Sequence, residues 1–561
     1  MKELVFLSFV CLLLFHEQSS AISRIVNVSE LQGELTQALR NQVQGLSYND
    51  TLFINFDRIG CDTIKGTVTA HCSVVMNGLG RGLSTVILDN GSDHPGFQAF
   101  PDDTFFAMIG NSEHNIYVSI TNMSFRLKDH TGIWWLSDNT QKHVVKIYHA
   151  NSVNINHVES YLKNAGCTNF DLRVCSNVSV SDCKIVNINN CIYGGCLWLR
   201  GETHNVTINN NLFYKYGNDE TIAFFSHLVD AYNGISGNIS RSNINIFNNN
   251  FYYGYQGNDK NDLFNDMQFS LISGDTSPYS CTTTDFLFAH NNFFINDLTR
   301  RVISISFLPS DLFSNIYFNN NTFIDYYVGS IRRFYRNEIE IKDQSIHPDT
   351  VFFKNNMFRN DNPVVNIYGD NGASYFLTQG AKICLEGNSF LNTVLTDTAA
   401  HSEIGVTLIW CGEQGGDVTL RNNTCRNLKH LARVSAGNGI SKFKLSAFDN
   451  SFHGDTKIYC NVIDTLNLVF DRNSFISKRM DFFLQEFAST GSLIFNNNNV
   501  MVGASGGKLM SHWNSNPTSS MHFQRLEVKN NLLRGVNSIE NMLKYITNVT
   551  DSIVSGNIFI P

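Results

Sequence analysis

The hydrophobic pattern of this chain repeats by a long unit. From about residue 118 onward the unit is apolar-x-apolar-x-[Asn/Gly/Asp]-Asn-x-Phe, as in VTINNNLF (206–213), INIFNNNF (244–251), IYFNNNTF (316–323), LVFDRNSF (468–475) and SIVSGNIF (552–559). The period-two alternation before the asparagine predicts a strand buried on one face, and the polar pair after it predicts a bend. The asparagine recurs at Asn211, Asn249, Asn291, Asn321, Asn356, Asn388, Asn423, Asn450, Asn473, Asn498, Asn531 and Asn557. Fifteen coils can be anchored on apolar strand residues, from Ile120, Ile155, Val180 and Ile208 to Val528 and Val554, with successive anchors 23 to 42 residues apart. A strand and bend that recur in this way predict an all-β solenoid of about fifteen or more coils, each packed only on its neighbours.

A stack of coils has an open apolar end, and residues 29–43 predict a helix to cap it. Ser29 and Gln32 have capping-box spacing, and Leu31, Leu35, Leu39 and Val43 recur at helical spacing. Extended segments follow at 51–57, 73–80 and 84–89, so residues 22–115 read as the cap helix and first coils, and 116–561 as regular coils. The longest coils lie between Ile208, Ile246 and Phe288. Their excess residues predict long loops at about 214–243 and 252–285, and loops on a rigid scaffold are where function collects.

The first residues add a location. Lys2, the apolar run 4–15 and the small residues Ser19, Ser20 and Ala21 read as a signal peptide, residues 1–21, cleaved near Ala21. The mature chain is expected outside the cytoplasm, whether secreted, periplasmic or on the cell surface, with no membrane span and as a monomer. A net charge of −8 with 16% charged residues leaves no basic stripe for a nucleic-acid backbone. Of the cysteines, Cys61 and Cys72 are candidate disulfide partners. Cys167, Cys175, Cys183, Cys191 and Cys196 fall in consecutive coils without zinc spacing, and stack there as small apolar residues.

Each coil carries a second strand ahead of the anchor strand. In HVVKIYHA (143–150) alternation turns Val145 and Ile147 in and Lys146 and Tyr148 out. In NFDLRVC (169–175) Phe170, Leu172 and Val174 turn in, with Asp171 and Arg173 out. In CLWLRGETH (196–204) Leu197 and Leu199 turn in, Trp198 and Arg200 out, and the bend presents Glu202 and His204. DMQFSLIS (266–273) adds Asp266 and Gln268. Stacked coils then place Arg173 beside Arg200 and Asp171 beside Trp198. Arginines clamp carboxylates and tryptophan stacks on sugar rings, so this column suits an acidic sugar. Asp171, Trp198, Tyr148 and Gln268 are the expected substrate contacts. A bland alternative is a set of ion pairs that keeps a sheet surface soluble. The acidic cluster GNDE (217–220), with Asn218, Asp219 and Glu220, offers the oxygen ligands Ca²⁺ needs, with Asp266 as a fourth candidate.

The coil units quoted above, with a helix ahead of them, resemble the right-handed parallel β-helix of the pectate-lyase-like superfamily. The resemblance implies a polar asparagine column along one bend, phenylalanines stacked inside, and polysaccharide as substrate. It also implies calcium in some members, after an Asn-x-Phe bend such as that in NLFYKYGNDETI (211–222), although AFFSH (223–227) stands where a lysine-bearing stretch is expected. β-Elimination at a uronate would use Arg173 and Arg200 to neutralise the carboxylate, and Lys146, His149 or His204 as base. Hydrolysis would instead use two carboxylates, drawn from Asp171, Glu202, Asp219 and Glu220. The rival from another class is a non-catalytic glycan-binding or adhesive protein, whose polar and aromatic residues would be spread along the stack.

Overall fold

A computed structural model of the protein describes residues 21–89, 104–128, 142–163, 167–188, 195–216, 221–225, 239–254, 267–272, 280–296, 301–325, 337–345, 348–361, 374–393, 406–412, 414–435, 442–461, 463–477, 481–483, 488–503, 508–511, 522–543, 546 and 548–560. All the strand pairings among them are parallel and join each coil to the next, as in a right-handed parallel β-helix. Three columns of strands form the walls. The anchor column runs from Ser23–Asn27 through Thr51–Phe56, Ser73–Gly78 and Ile116–Thr121 to Asn548–Ser555, so the stack begins before the first regular unit. A second column follows the asparagine bend, from Gly60–Ile64 to Ile558–Ile560. A third precedes the anchor strand. It runs from Val68–Ala70 through the first halves of Lys142–Asn156, Cys167–Ser181 and Leu197–Asn209 to Ile222–Phe225, Met267–Ile272 and beyond.

The bend explains the spelling of the repeat. The residue before each column asparagine has a left-handed backbone: φ is 58° at Asn210, 57° at Asn248, 55° at Asn320, 58° at Asp449 and 67° at Gly556. Asn, Asp and Gly enter that region at least cost, which is why they predominate at this position, with His290 (φ 56°) and Arg472 (φ 57°) as exceptions. The column residue itself is buried. Asn291 Nδ2 donates to Asn321 Oδ1 (3.1 Å) and to Ile246 O (2.9 Å), while Asn291 N donates to Asn321 Oδ1 (3.0 Å). Equivalent bonds join Asn211 to Asn249 and continue to Asn531 and Asn557. One coil earlier, Cys183 N still donates to Asn211 Oδ1, and the thiol reaches Ile155 O at 3.5 Å in place of an amide. Met123 and Val158 occupy the position before that, both fully buried. Inside the bend, Phe213, Phe251, Phe293, Phe323, Phe358 and Phe390 stack ring on ring at 4.6–5.0 Å.

A second asparagine column lies on the surface, three residues before the anchors, and was not anticipated. Asn177, Asn205, Asn243, Asp285 and Asn315 all have φ between 50° and 55°. Asn243 Nδ2 donates to Asn205 Oδ1 (2.9 Å), and Asn205 Nδ2 to Asn177 Oδ1 (3.0 Å). The spellings NVS, NVT and NIN at these sites are therefore bend chemistry.

Two expectations about the first section are corrected. The helix is Leu35–Val43, not 29–43: Glu34 is the N-cap, accepting from Thr36 N and Gln37 N at 3.0 Å, whereas Ser29 bonds to Asp57 of the next coil. An acidic side chain over the first turn satisfies two free N–H groups, and the helix packs Leu39 into the core. Cys61 and Cys72 are free thiols: Cys61, in strand Gly60–Ile64, is exposed, whereas Cys72, in the bend before Ser73–Gly78, is buried. Cys175, Cys183 and Cys196 are also free, and burial pushes each thiol up to about 12. None of the helices described is long and apolar enough to cross a membrane.

Candidate functional site

The third column aligns the expected residues rung by rung: Lys146 beside Asp171, Asp171 beside Trp198, Tyr148 beside Arg173, and Arg173 beside Arg200. Alternation thus identifies the shared face. It does not identify the surroundings, because these side chains are not exposed as expected. Asp171 is 0% exposed, Trp198 2%, Arg200 3%, Arg173 4% and Tyr148 6%; only Lys146 is part-exposed. The inner face of the same strands carries Val145, Ile147, Phe170, Leu172, Leu197 and Leu199, so both faces of this sheet are covered.

Burial has turned the charges toward one another. Asp171 Oδ2 accepts from Arg173 Nε at 2.8 Å and lies 2.7 Å from the second guanidinium nitrogen, and Asp171 Oδ1 is 3.1 Å from Arg200 Nε. His143, which the sequence reading missed, brings Nε2 to 3.3 Å from Asp171 Oδ2 and meets the Trp198 ring edge-on at 6.0 Å. Its signal was the Val144–Val145 pair: both are core residues, so alternation breaks there and His143 turns to the Asp171 side. Aromatic rings line the cations. The Arg200 guanidinium lies 4.5 Å from the Trp198 ring centre, and Arg173 and Lys146 each lie 5.0 Å from that of Tyr148.

The electrostatics follow from this packing. Burial alone would raise the Asp171 carboxyl, but Arg200, His143 and Arg173 together outweigh it and hold the carboxyl well below its usual range. Burial pushes His143 down to about 3; Asp171 opposes that shift, while Arg200, Arg173 and Lys146 reinforce it. At neutral pH Lys146, Arg173 and Arg200 therefore gather around the Asp171 carboxylate, with a neutral His143 imidazole among them. A pH dependence follows. The unfolded His143 takes up a proton below about 6.5, while the folded one does so only near 3. Stability should fall with acidification across that window by up to about 1.4 kcal/mol per pH unit. Urea melts of wild type and His143→Gln between pH 7 and 4 should separate, with the variant flatter; parallel curves would overturn the assignment.

The corner after this column is strained. Val174, expected in the core, is only half-buried at φ 54°, and Cys175 takes the inward place. A β-branched residue in that region costs of order 1–3 kcal/mol. His149 has the same backbone at φ 49° and is buried, while Gly201 fills the third corner at φ 72°. Beyond the corner, Glu202 and His204 form a separate pair facing solvent. His204 Nε2 lies 3.1 Å from Glu202 Oε1, and Nδ1 lies 2.8 Å from Ser242 Oγ on the next coil.

Behind the cluster, inside the coil, runs a polar chain that residue type alone would have rejected. Lys215 Nζ donates to Asn187 Oδ1 (3.3 Å), Asn187 Nδ2 to Asn169 Oδ1 (3.1 Å), and Asn169 Nδ2 to Ser160 Oγ (2.7 Å), all fully buried. Asn218, Asp219, Glu220 and Asp266 lie outside the described residues, as does the Gln268 side chain. Among the described residues no group of three His, Cys, Asp or Glu could hold a metal ion.

No family model matches the chain, and no curated protein matches it. Among solved structures it is similar to a family 28 exopolygalacturonase of Yersinia enterocolitica, at 11% identity over 76% of each chain and a TM-score of 0.37. It is also similar to the catalytic unit of a GH87 α-1,3-glucanase from Streptomyces thermodiastaticus, at 12% identity over 93% of this chain and 69% of that one, with a TM-score of 0.30. A PL6 family alginate lyase matches at 11% identity over 96% of this chain and 100% of that one, with a TM-score of 0.22. At these scores no activity carries over from them.

Proposed function

We propose that the protein is an exported carbohydrate-active enzyme that cleaves an acidic polysaccharide by β-elimination at a uronate. The observation that carries this reading is the gathering of cations at one place on one sheet: Lys146, Arg173 and Arg200 lie on adjacent rungs around Asp171. A uronate carboxylate drawn to the part-exposed Lys146 edge would sit in that field. The base takes the C5 proton, the C4–O bond breaks, and the leaving oxygen is protonated, which leaves a C4=C5 double bond. Lys146, and His204 polarised between Glu202 and Ser242, are the candidates that solvent can reach. Hydrolysis is less well supported, because it needs two carboxylates about 5–9 Å apart. Of the candidates among the described residues, Asp171 is committed to its ion pairs and Glu202 faces a histidine, while Asp219 and Glu220 lie outside the described residues.

A second reading is a non-catalytic glycan-binding protein. It draws support from the burial of Arg173 and Arg200 and their pairing with Asp171. One assay separates the readings. The mature protein is incubated with a panel of uronate polysaccharides, with calcium or with EDTA, while ultraviolet absorbance of unsaturated ends and total reducing ends are followed. Both signals should rise, and Lys146→Ala should lower them by about 10²–10⁴-fold. Reducing ends without the absorbance would transfer the reading to hydrolysis, and retention without cleavage would leave only the binder. Loss of activity in EDTA would support calcium at residues 218–220 and 266.

A further inference from the structure

Past the corner at Gly201, an outer row of small hydroxyls crosses the coils. The register runs from Ser176 to His204, then to Ser242 and Thr284, and all four side chains are part-exposed. Solvation alone accounts for serines and threonines on such a surface. It does not account for the rung where three groups stand in line. Thr203 turns inward and is 1% exposed, so Glu202 and His204 share the outer face. His204 Nε2 then lies 3.1 Å from Glu202 Oε1, and His204 Nδ1 lies 2.8 Å from Ser242 Oγ on the next coil.

The order of these groups sets the direction of the protons. A carboxylate only accepts, so in the neutral imidazole Nε2 carries the hydrogen and donates it to Glu202. Nδ1 then holds the lone pair and accepts from the Ser242 hydroxyl. An activated serine needs this arrangement: a base on its hydroxyl, and a third group that fixes the tautomer of the base. Access is open, because Ser176 and Thr284 flank the rung with short side chains. A donor for the developing oxyanion stands on the following residue. Asn243 is exposed, and its amide nitrogen gives one hydrogen to Asn205 Oδ1 (2.9 Å), which leaves the second available.

We infer that Ser242, His204 and Glu202 form a site that hydrolyses small carboxylic esters, with Ser242 as nucleophile, His204 as base and Glu202 as positioning residue. The Ser242 proton passes to His204 Nδ1 as Oγ bonds to the acyl carbon. The ester C–O bond then breaks, and the alcohol leaves with that proton. Water next gives a proton to Nδ1 and its oxygen to the acyl carbon, the Oγ–acyl bond breaks, and the proton returns to Oγ as the carboxylic acid departs. An open sheet surface suits a small acyl group on a large carrier. For that carrier the inference rests on the polysaccharide reading; for its chemistry it does not.

The test uses p-nitrophenyl acetate, acetylated polygalacturonate and a serine-reactive fluorophosphonate on the full chain. Wild type should release p-nitrophenolate and acetate and take one phosphonate label, mapped by peptide mass to Ser242. Ser242→Ala should lose the label and the hydrolysis, and His204→Gln should lower the turnover rate by about 10²–10⁴-fold. Glu202→Gln should slow labelling, with Glu202→Asp recovering part of the rate and the melting temperature unmoved. Labelling of the wild type carries the test alone should a variant not fold. A wild type that takes no label on Ser242, or hydrolysis that survives in Ser242→Ala, overturns the inference. Hydrolysis of p-nitrophenyl acetate without acetate from the polymer upholds the chemistry and overturns the carrier. Acetate release without unsaturated ends from any uronan supports this site and counts against the lyase reading. Unsaturated ends without a label on Ser242 do the reverse.

Discussion

Asp171→Asn should destabilise the coils around residues 142–209 by about 3–5 kcal/mol, the cost of removing one partner from a buried ion pair. The substitution keeps shape and removes charge, so two guanidinium groups, 3% and 4% exposed, lose the carboxylate they share. The Arg173 Nε–H···Oδ2 bond at 2.8 Å would lose an ionised acceptor, and the 3.1 Å contact with Arg200 would have an amide in place of a carboxylate. Because each coil packs on its neighbours, the loss should be local. Hydrogen exchange should speed up in strands Lys142–Asn156, Cys167–Ser181 and Leu197–Asn209, and remain unchanged in strands such as Val406–Cys411. Simultaneous replacement of Asp171, Arg173 and Arg200 by apolar residues of similar volume should recover much of the loss, since the pairs themselves contribute little net stability. A change under about 1 kcal/mol in Asp171→Asn would mean that water screens the cluster, as at an exposed pair. The acidic-sugar reading would then lose its low-dielectric field.

The architecture was legible because each coil repeats the same local physics. The Asn-x-Phe spacing defines a rung, and a parallel rung transmits register, so Asp171 could be set beside Trp198 and Arg173 beside Arg200 from alternation alone. Alternation reports which face a side chain takes, but not what lies over that face. The outward residues of this sheet were therefore expected in solvent and are buried. His143 escaped notice because two adjacent core valines break the period just after it. Val174 was misassigned for a related reason, since a left-handed residue in mid-strand shifts the phase and turns Cys175 inward. Lys215 obeys the alternation from Phe213 and is buried, a place where composition argues against lysine.

The other large effect concerns the buried asparagine column. Asn321→Ala should cost about 3–6 kcal/mol, because the amide serves both its neighbours and buried backbone groups cannot turn to water; each stranded group costs about 1–3 kcal/mol. Asn321 Oδ1 accepts from Asn291 N (3.0 Å) and Nδ2 (3.1 Å), and Asn321 Nδ2 donates to Phe288 O (2.9 Å) and Asn356 Oδ1 (3.0 Å). Alanine keeps the backbone and deletes all four bonds, leaving the Asn291 N–H and the Phe288 carbonyl without these partners. The exposed column supplies the control. Asn205→Gly tolerates φ 54° and removes amide bonds on the surface, so it should change stability by only about 0.5 kcal/mol. Cys183→Asn makes the complementary case: the thiol already reaches Ile155 O, and an amide there could also donate to Asn211 Oδ1, which already accepts from Cys183 N. That substitution should be neutral or stabilising by about 1 kcal/mol, the net worth of one hydrogen bond. Chemical denaturation of the three variants orders them, with Asn321→Ala far below wild type and the other two close to it. Equal losses for Asn321→Ala and Asn205→Gly would show that the coils are held by strand pairing and phenylalanine stacking, with the buried amides adding nothing of their own.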